Sequence, residues 1–316
     1  MVRTIVGAVL AVACLFLFAA KLEAHPSTGI VVDRQGRVYF ADERRNIVWR
    51  IDTNGKVSPY VTGRHSHAIF LDSAGNLYGE HREYVPAGEK WKASIWKMTP
   101  GGQLTDLVPL TTSLKLGWGV IVDRDGNRYS GDWFGSDRKG QDGQIMKRTA
   151  AGGVTVLAGR GSQQAPGNGK VQLGNIRGLA LGPDGALYFT EDAAVHRLDR
   201  DGSIKTLAGG IKIENPADDP LGEGTTAYLA GLTVDPSGNV YVADFANRRV
   251  IKITPSNQVV TVIRCEAPWA PTGVALMGGN LYILEHGLKP PAKHEGPRVR
   301  KISPDGTVTQ LASIKD

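Results

Sequence analysis

Apolar and polar residues alternate with a period of two along most of this chain, in short runs, and no stretch sustains the 3.6-residue period of an amphipathic helix. One phrase recurs. A Gly or Ala opens an alternating apolar run, often closed by Asp. A tight Gly-containing turn follows, and then an apolar-Tyr-apolar strand ending in an acid. It runs from Gly29 to Asp33 with Val38 to Asp42, and from Ala68 to Asp72 with Leu77 to Glu80. It returns from Gly119 to Asp123 with Tyr129 to Asp132, and from Gly178 to Leu181 with Leu187 to Glu191. The last two copies begin at Gly231 and Gly273 and end at Asp244 and Glu285.

Two further short strands follow each phrase, for example Ile47–Ile51 with Val57–Val61, and Val250–Ile253 with Val259–Val262. Their β-branched content fits half-buried strands, and turns such as Asn54-Gly55, Asp201-Gly202 and Asp305-Gly306 separate them. Six units of four strands predict an all-β chain, a six-bladed β-propeller of four-stranded antiparallel blades. The first and last units each contain all four strands, so blade 6 is expected to dock on blade 1 without a strand exchanged between the termini.

The first 24 residues break this pattern. Arg3 precedes an uncharged apolar run from Ile5 to Ala20, and Ala24 supplies a small residue for cleavage. Residues 1–24 read as a secretory signal peptide and residues 25–316 as the single propeller domain, secreted or periplasmic, with no stable transmembrane span after cleavage. Only Cys265 then remains beside Cys14 of the signal, so no intrachain disulfide is expected and a buried small residue is the ordinary fate of Cys265. The surplus of 37 Lys and Arg over 31 Asp and Glu is small and scattered, without interleaved aromatics, which argues against a nucleic-acid partner.

Candidate chemistry collects on one face. The turns between the first and second strands are all short. The longer segments His81–Ser94, Trp133–Gly143, Gly159–Arg177, Gly209–Ala230 and His286–Pro297 all fall on the opposite face, where a rigid scaffold usually carries recognition of a small-molecule or protein ligand. Strict pairing across the short turns opposes Thr28 to Asp42, His67 to His81, Trp118 to Asp132, Arg177 to Glu191, Ala230 to Asp244 and Thr272 to Glu285. The repeated acid reads as a loop anchor at Asp42, Asp132 and Asp244.

His67 and His81, with His65 two residues earlier, are the candidate metal ligands. Glu80, Asp132 or Glu285 would complete a shell for zinc, with calcium or another divalent ion as alternatives. Arg177 reads either as the ion-pair partner of Glu191 or as a clamp for a substrate carboxylate or phosphate, oriented by Glu191 and Asp192. Trp118 and Trp133 would make an aromatic wall, which Trp269 can join. Asp244, Glu285 and His286 complete the ligand-binding candidates, and Glu80, Asp132 and Arg177 the catalytic ones. His294 lies in the same loop as His286, and His196 reads as structural.

The stretch Gly231 to Ile253 resembles an NHL repeat, and residues 29–51 resemble it nearly as well. The resemblance implies a propeller, with lactonases, lyases and binding modules among its relatives. The gluconolactonase/SMP-30 group implies a Glu at the start of the first strand with Asn and Asp from other blades, whereas Thr28 and Ala230 stand here. The peptide α-amidating lyase group implies a zinc-binding His at the first-strand start in three blades, and only His67 matches. The expected function is ligand binding at the loop-lined mouth of the channel, with a metal-dependent lactonase or esterase as the alternative.

Overall fold

The computed structural model describes residues 26–86, 90–112, 120–133, 143–159, 173–220, 228–289 and 293–315. Residues 1–24, expected above as a signal peptide, lie outside them. They form six sheets of four consecutive antiparallel strands. Blade 1 holds β1 (Ile30–Val32), β2 (Val38–Asp42), β3 (Ile47–Ile51) and β4 (Val57–Thr62). Blade 2 holds β5 (Ile69–Leu71), β6 (Leu77–Val85), β7 (Lys90–Met98) and β8 (Leu104–Thr111). Blade 3 holds β9 (Val120–Val122), β10 (Arg128–Trp133), β11 (Gly143–Arg148) and β12 (Val154–Gly159). Blade 4 holds β13 (Ile176–Leu181), β14 (Leu187–Glu191), β15 (Ala194–Leu198) and β16 (Ile204–Ala208). Blade 5 holds β17 (Leu229–Val234), β18 (Val240–Asp244), β19 (Arg249–Ile253) and β20 (Val259–Arg264). Blade 6 holds β21 (Trp269–Met277), β22 (Asn280–Lys289), β23 (Lys293–Ile302) and β24 (Val308–Ser313).

Each sheet is buried on both faces because each face packs on a neighbouring blade. Tyr39, Ala41 and Val48 of blade 1 meet Ile69, Leu77 and Trp96 of blade 2. Ile30, Val38 and Phe40 meet Tyr282, Leu284 and Val299 of blade 6, which closes the ring without strand exchange. Both alternate sets are therefore apolar in β2, all five residues of which are buried. The outermost strands face solvent, and Val259, Val260 and Val262 of β20 are exposed.

The recurrent Asp makes the short turn. Asp72 accepts from the Ala74 and Asn76 amides, the Asn76 side chain and the Tyr78 hydroxyl. Asp123 repeats the set with Asp125, Asn127 and Tyr129. One carboxylate thus satisfies the turn amides and fixes the Tyr of the next strand. The recurrent Gly at the start of the first strand has a different cause. A Cβ on Gly273 would stand 2.2 Å from the Thr28 carbonyl, and one on Gly178 2.4 Å from the Ala230 carbonyl. The innermost strands crowd around the axis, and only Gly lets their backbones approach.

Among the described residues, two segments expected as loops are strands on both sides. His81–Ser94 belongs to the long hairpin β6–β7, in which Glu83 opposes Lys92 and Tyr84 opposes Trp91. The last two rings lie 5.3 Å apart and are exposed. His286–Pro297 belongs to the hairpin β22–β23. Cross-strand charge and aromatic pairs let polar sequence continue a ladder beyond the blade body.

Candidate functional site

In blades 4, 5 and 6 the strict pairing across the short turns fails at the axial end. A β-bulge interrupts β13, so Ile176, not Arg177, opposes Glu191. Likewise Leu229 opposes Asp244 and Pro271 opposes Glu285. In blade 2 the Arg82 amide bonds the His65 carbonyl at 3.2 Å, which fits the same one-residue shift and sets Ser66, not His67, against His81. The bulge falls beside the crowded Gly position, where the strand bends away from the axis.

The shift dissolves the expected Arg177–Glu191 ion pair. Glu191 accepts from the Gly174 amide and lies 3.1 Å from His196 Nε2. Burial pushes the Glu191 carboxyl up, but these donors outweigh it and the net direction is down. His196 also contacts Thr206 Oγ1 and stacks on Phe189, as a structural residue does. Arg177 instead lies 3.6 Å over the Tyr228 ring. Its Nε is buried without a hydrogen-bond partner, and it makes no ion pair among the described residues. Asp192 is felt only at longer range: burial raises its pKa and the Arg177 charge opposes the rise.

The repeated acids are engaged within their blades. Asp42 accepts from the Arg45 amide and guanidinium and from Trp49 Nε1. Asp244 takes Asn247 and Arg249 Nε, the latter at 2.7 Å. Glu285 takes Arg298 Nε at 2.7 Å and both Nε and Nη2 of Arg300. Asp244 and Glu285 are fully buried by these partners, so neither presents a free carboxylate to a ligand, contrary to expectation. Arg298 also covers Trp269 at 4.1 Å. Cys265 is buried beneath Arg300, and burial raises its thiol pKa well above the usual value. Trp118 lies outside the described residues, as do the side chains of Asp132, Trp133 and His294.

The three candidate metal-binding histidines are neighbours without a shared focus. His65 and His67 rings sit 4.8 Å apart, edge to face. His65 Nδ1 lies 3.0 Å from the Glu43 carbonyl, and His81 Nδ1 accepts the His65 amide. Among the described residues, no three His, Cys, Asp or Glu are placed to hold a metal ion. Glu80 serves the backbone: its Oε1 accepts from the His67 and Ala68 amides at 2.6 and 3.1 Å. Burial raises its pKa, but contact with His67 and these amides brings the net direction down, while burial pushes His67 down to about 4. Near neutral pH the pair is carboxylate beside neutral imidazole.

A second cluster joins blades 6 and 1, and of its titratable members sequence reasoning named only His286. Glu43 accepts the Ser27 amide, and its Oε2 lies 4.0 Å from His286 Nε2. Thr272 Oγ1 contacts His286 Nδ1 at 3.1 Å. Glu43 and His286 are both buried, and burial raises the Glu43 carboxyl to about 7, against the amide donors. A carboxyl raised towards neutrality 4.0 Å from an imidazole is close enough to pass a proton through one bridging water, though not directly. The sequence signal was the doubled acid Asp42-Glu43 in blade 1.

Innermost strands of all six blades line an axial cavity of about 540 Å³. Partly exposed Val31, Phe70, Leu179, Leu181 and Leu276 give it apolar walls, interrupted by Thr233, and Thr28, Ala68 and Arg177 stand at its long-loop end. It continues to Arg34 and Ser73 on the short-turn face.

These features define a six-bladed β-propeller whose axial cavity carries Arg177 at its long-loop end and Arg34 at its short-turn end. The family profile described as the SMP-30/Gluconolactonase/LRE-like region matches residues 27–285. The chain belongs to this family. A luciferin-regenerating enzyme has a similar fold, with a TM-score of 0.59 at 17% identity over 92% of this chain and 94% of that one. Regucalcin from Agrobacterium tumefaciens, described as a calcium-binding protein, gives 0.57 at 14% identity over 82% and 81%. Teneurin-3 of Danio rerio is 27% identical over 262 residues, 69% of this chain. The chain spans only 9% of that relative's length.

Proposed function

We propose that this propeller, exported by its N-terminal signal, binds a small organic ligand with an apolar body and a carboxylate end inside the axial cavity. The observation that carries this reading is Arg177. Its guanidinium is oriented by the Tyr228 ring, lines a cavity with apolar walls, and has no acceptor among the described residues. A buried donor without a partner is costly, and a ligand carboxylate supplies the missing acceptor in bidentate geometry. The cavity volume lies within the range of roughly 300–1,000 Å³ usual for small-molecule sites. Calorimetry with matched acids, amides and methyl esters tests it. The acid is expected to bind tightest, and Arg177→Met to remove the preference. Equal binding of acid and amide contradicts it.

A second reading is supported by Glu43 and His286. Membership of a family that includes gluconolactonase, and a carboxyl poised near pH 7 one residue's reach behind Thr28, suit acid–base opening of a lactone or ester. Glu43 as carboxylate would take a proton from an attacking water as the ring C–O bond breaks and return it to the leaving alkoxide, with His286, held by Thr272, exchanging protons with it through water. Calcium binding by regucalcin raises the question of a metal. The described residues do not fit one: Thr28, Arg177 and Ala230 stand at first-strand starts, and Asp42, Asp244 and Glu285 are saturated by cationic or amide donors. A lactone panel read by acid release, with Glu43→Gln expected to lose turnover and retain carboxylate binding, tests this reading.

A further inference from the structure

The first residue of each second strand, or the second residue in blade 6, opposes the last residue of the third. The pairs are Val38 with Ile51, Leu77 with Met98, Leu187 with Leu198, Val240 with Ile253 and Leu281 with Ile302. All are aliphatic and pack against the preceding blade. Blade 3 alone departs: the pair is Arg128 with Arg148. Val122 opposes Arg128 and packs on Tyr78 of blade 2, so the two arginines face the seam between blades 2 and 3. A third cation approaches from the other side, with Lys97 Nζ 5.6 Å over the Tyr78 ring.

Nothing in the described residues balances these charges. The Nε atoms of Arg128 and Arg148 are both buried without a hydrogen-bond partner, and neither residue makes an ion pair. Burial and the neighbouring Arg148 charge both lower the Arg128 pKa. Two guanidiniums held side by side by strand register, half-withdrawn from water, repel unless an anion bridges them. Their planar forks match tetrahedral oxyanions.

We infer that the seam between blades 2 and 3 is a binding site for a phosphate or sulfate group, held between Arg128 and Arg148 with Lys97 as a longer-range contributor. It is separate from the axial cavity and independent of the carboxylate reading above.

The test is thermal unfolding of the full chain in inorganic phosphate, sulfate and methyl phosphate, each against chloride at equal ionic strength. The comparison protein is Arg128→Leu/Arg148→Met, which copies the Leu77/Met98 pair of blade 2. Phosphate and sulfate are expected to raise the Tm of the native chain by at least about 2 °C and to leave the double variant unmoved. The variant alone is expected to melt higher than the anion-free native chain, because a repulsive pair is gone. Arg148→Gln, which keeps one guanidinium, is expected to show a reduced rise. Methyl phosphate acting as well as phosphate assigns the site to a phosphoryl group on a larger ligand, and a weaker effect assigns it to the free ion. No rise in the native chain, or the same rise in the double variant, overturns the inference.

Discussion

Blades 5 and 2 share one fold and use their ionisable residues in opposite ways. In blade 5, Ala243 and Asp244 end β18, and the Asp is saturated by Asn247 and Arg249. In blade 2 the same two places hold Glu80 and His81. Glu80 reaches back to the amides of the bulged first strand, and His81 takes the His65 amide. A regular blade spends its carboxylate on its own loop. The irregular blade moves charge one residue inward, towards the axis, and gathers imidazoles around it. In this family member the irregular blades, and blade 1 with its extra Glu43, hold the titratable chemistry, while the regular blades hold the ring together.

The largest effect expected from this contrast is at Asp244. Asp244→Ala takes the buried acceptor from Arg249 Nε and from Asn247, leaving Arg249 only the more exposed Glu214, and should cost about 3 kcal/mol, read by denaturant unfolding. His81→Ala at the equivalent place in blade 2 should cost only about 1 kcal/mol, since it is partly exposed and holds a single amide. Equal costs would erase the distinction between the blades.

Glu43 comes next. Its folded pKa of about 7 lies above its unfolded value of 4.5. Between those two values the unfolded chain releases a proton that the native chain keeps, so stability falls as pH rises through that window and is level above it. Glu43→Gln should remove the fall and stabilise the protein at pH 8 by up to about 3 kcal/mol, seen as a converging Tm at pH 5 and pH 8. An unchanged pH slope would contradict the burial argument.

Asp72 and Asp123 bear the opposite sign. Burial raises each, but turn amides, Asn and Tyr donors outweigh it and lower the folded pKa. Their contribution is present above the unfolded carboxyl value and is lost as pH falls through the folded one. Asp72→Asn/Asp123→Asn should therefore lower stability at pH 6 and flatten the acid limb of the pH profile. The smallest effect concerns metal. Mass spectrometry of purified protein with and without His67→Ala/His81→Ala should show the same metal content, because two of the ring nitrogens in that cluster already face backbone groups.

The six blades were legible because each is punctuated by the same physical requirements: Asp and Tyr lock the short turn, Gly permits approach at the axis, and alternate apolar residues meet a neighbour on each face. The axial register was not legible. A bulge inserts one residue beside the Gly, and the pattern on either side reads the same with or without it. That single shift separated Arg177 from Glu191 and His67 from His81. Glu43 was overlooked because it follows the strand-ending Asp42 and reads as loop; only the ring closure that brings His286 beside it reveals its burial. Arg128 was equally visible as an interruption of an aliphatic column, but its meaning depends on Arg148 lying opposite, which only the register supplies.

The central claim is that Arg177 is the polar end of an apolar ligand seat. Side-chain nitrogen NMR of the arginine Nε–H groups tests it most directly, with the Arg177 signal assigned by its absence in Arg177→Met. Titration with a medium-chain aliphatic carboxylate is predicted to move that signal selectively and saturably, and the matched amide to leave it in place. An unmoved Arg177 signal, or equal movement with acid and amide, would contradict the account.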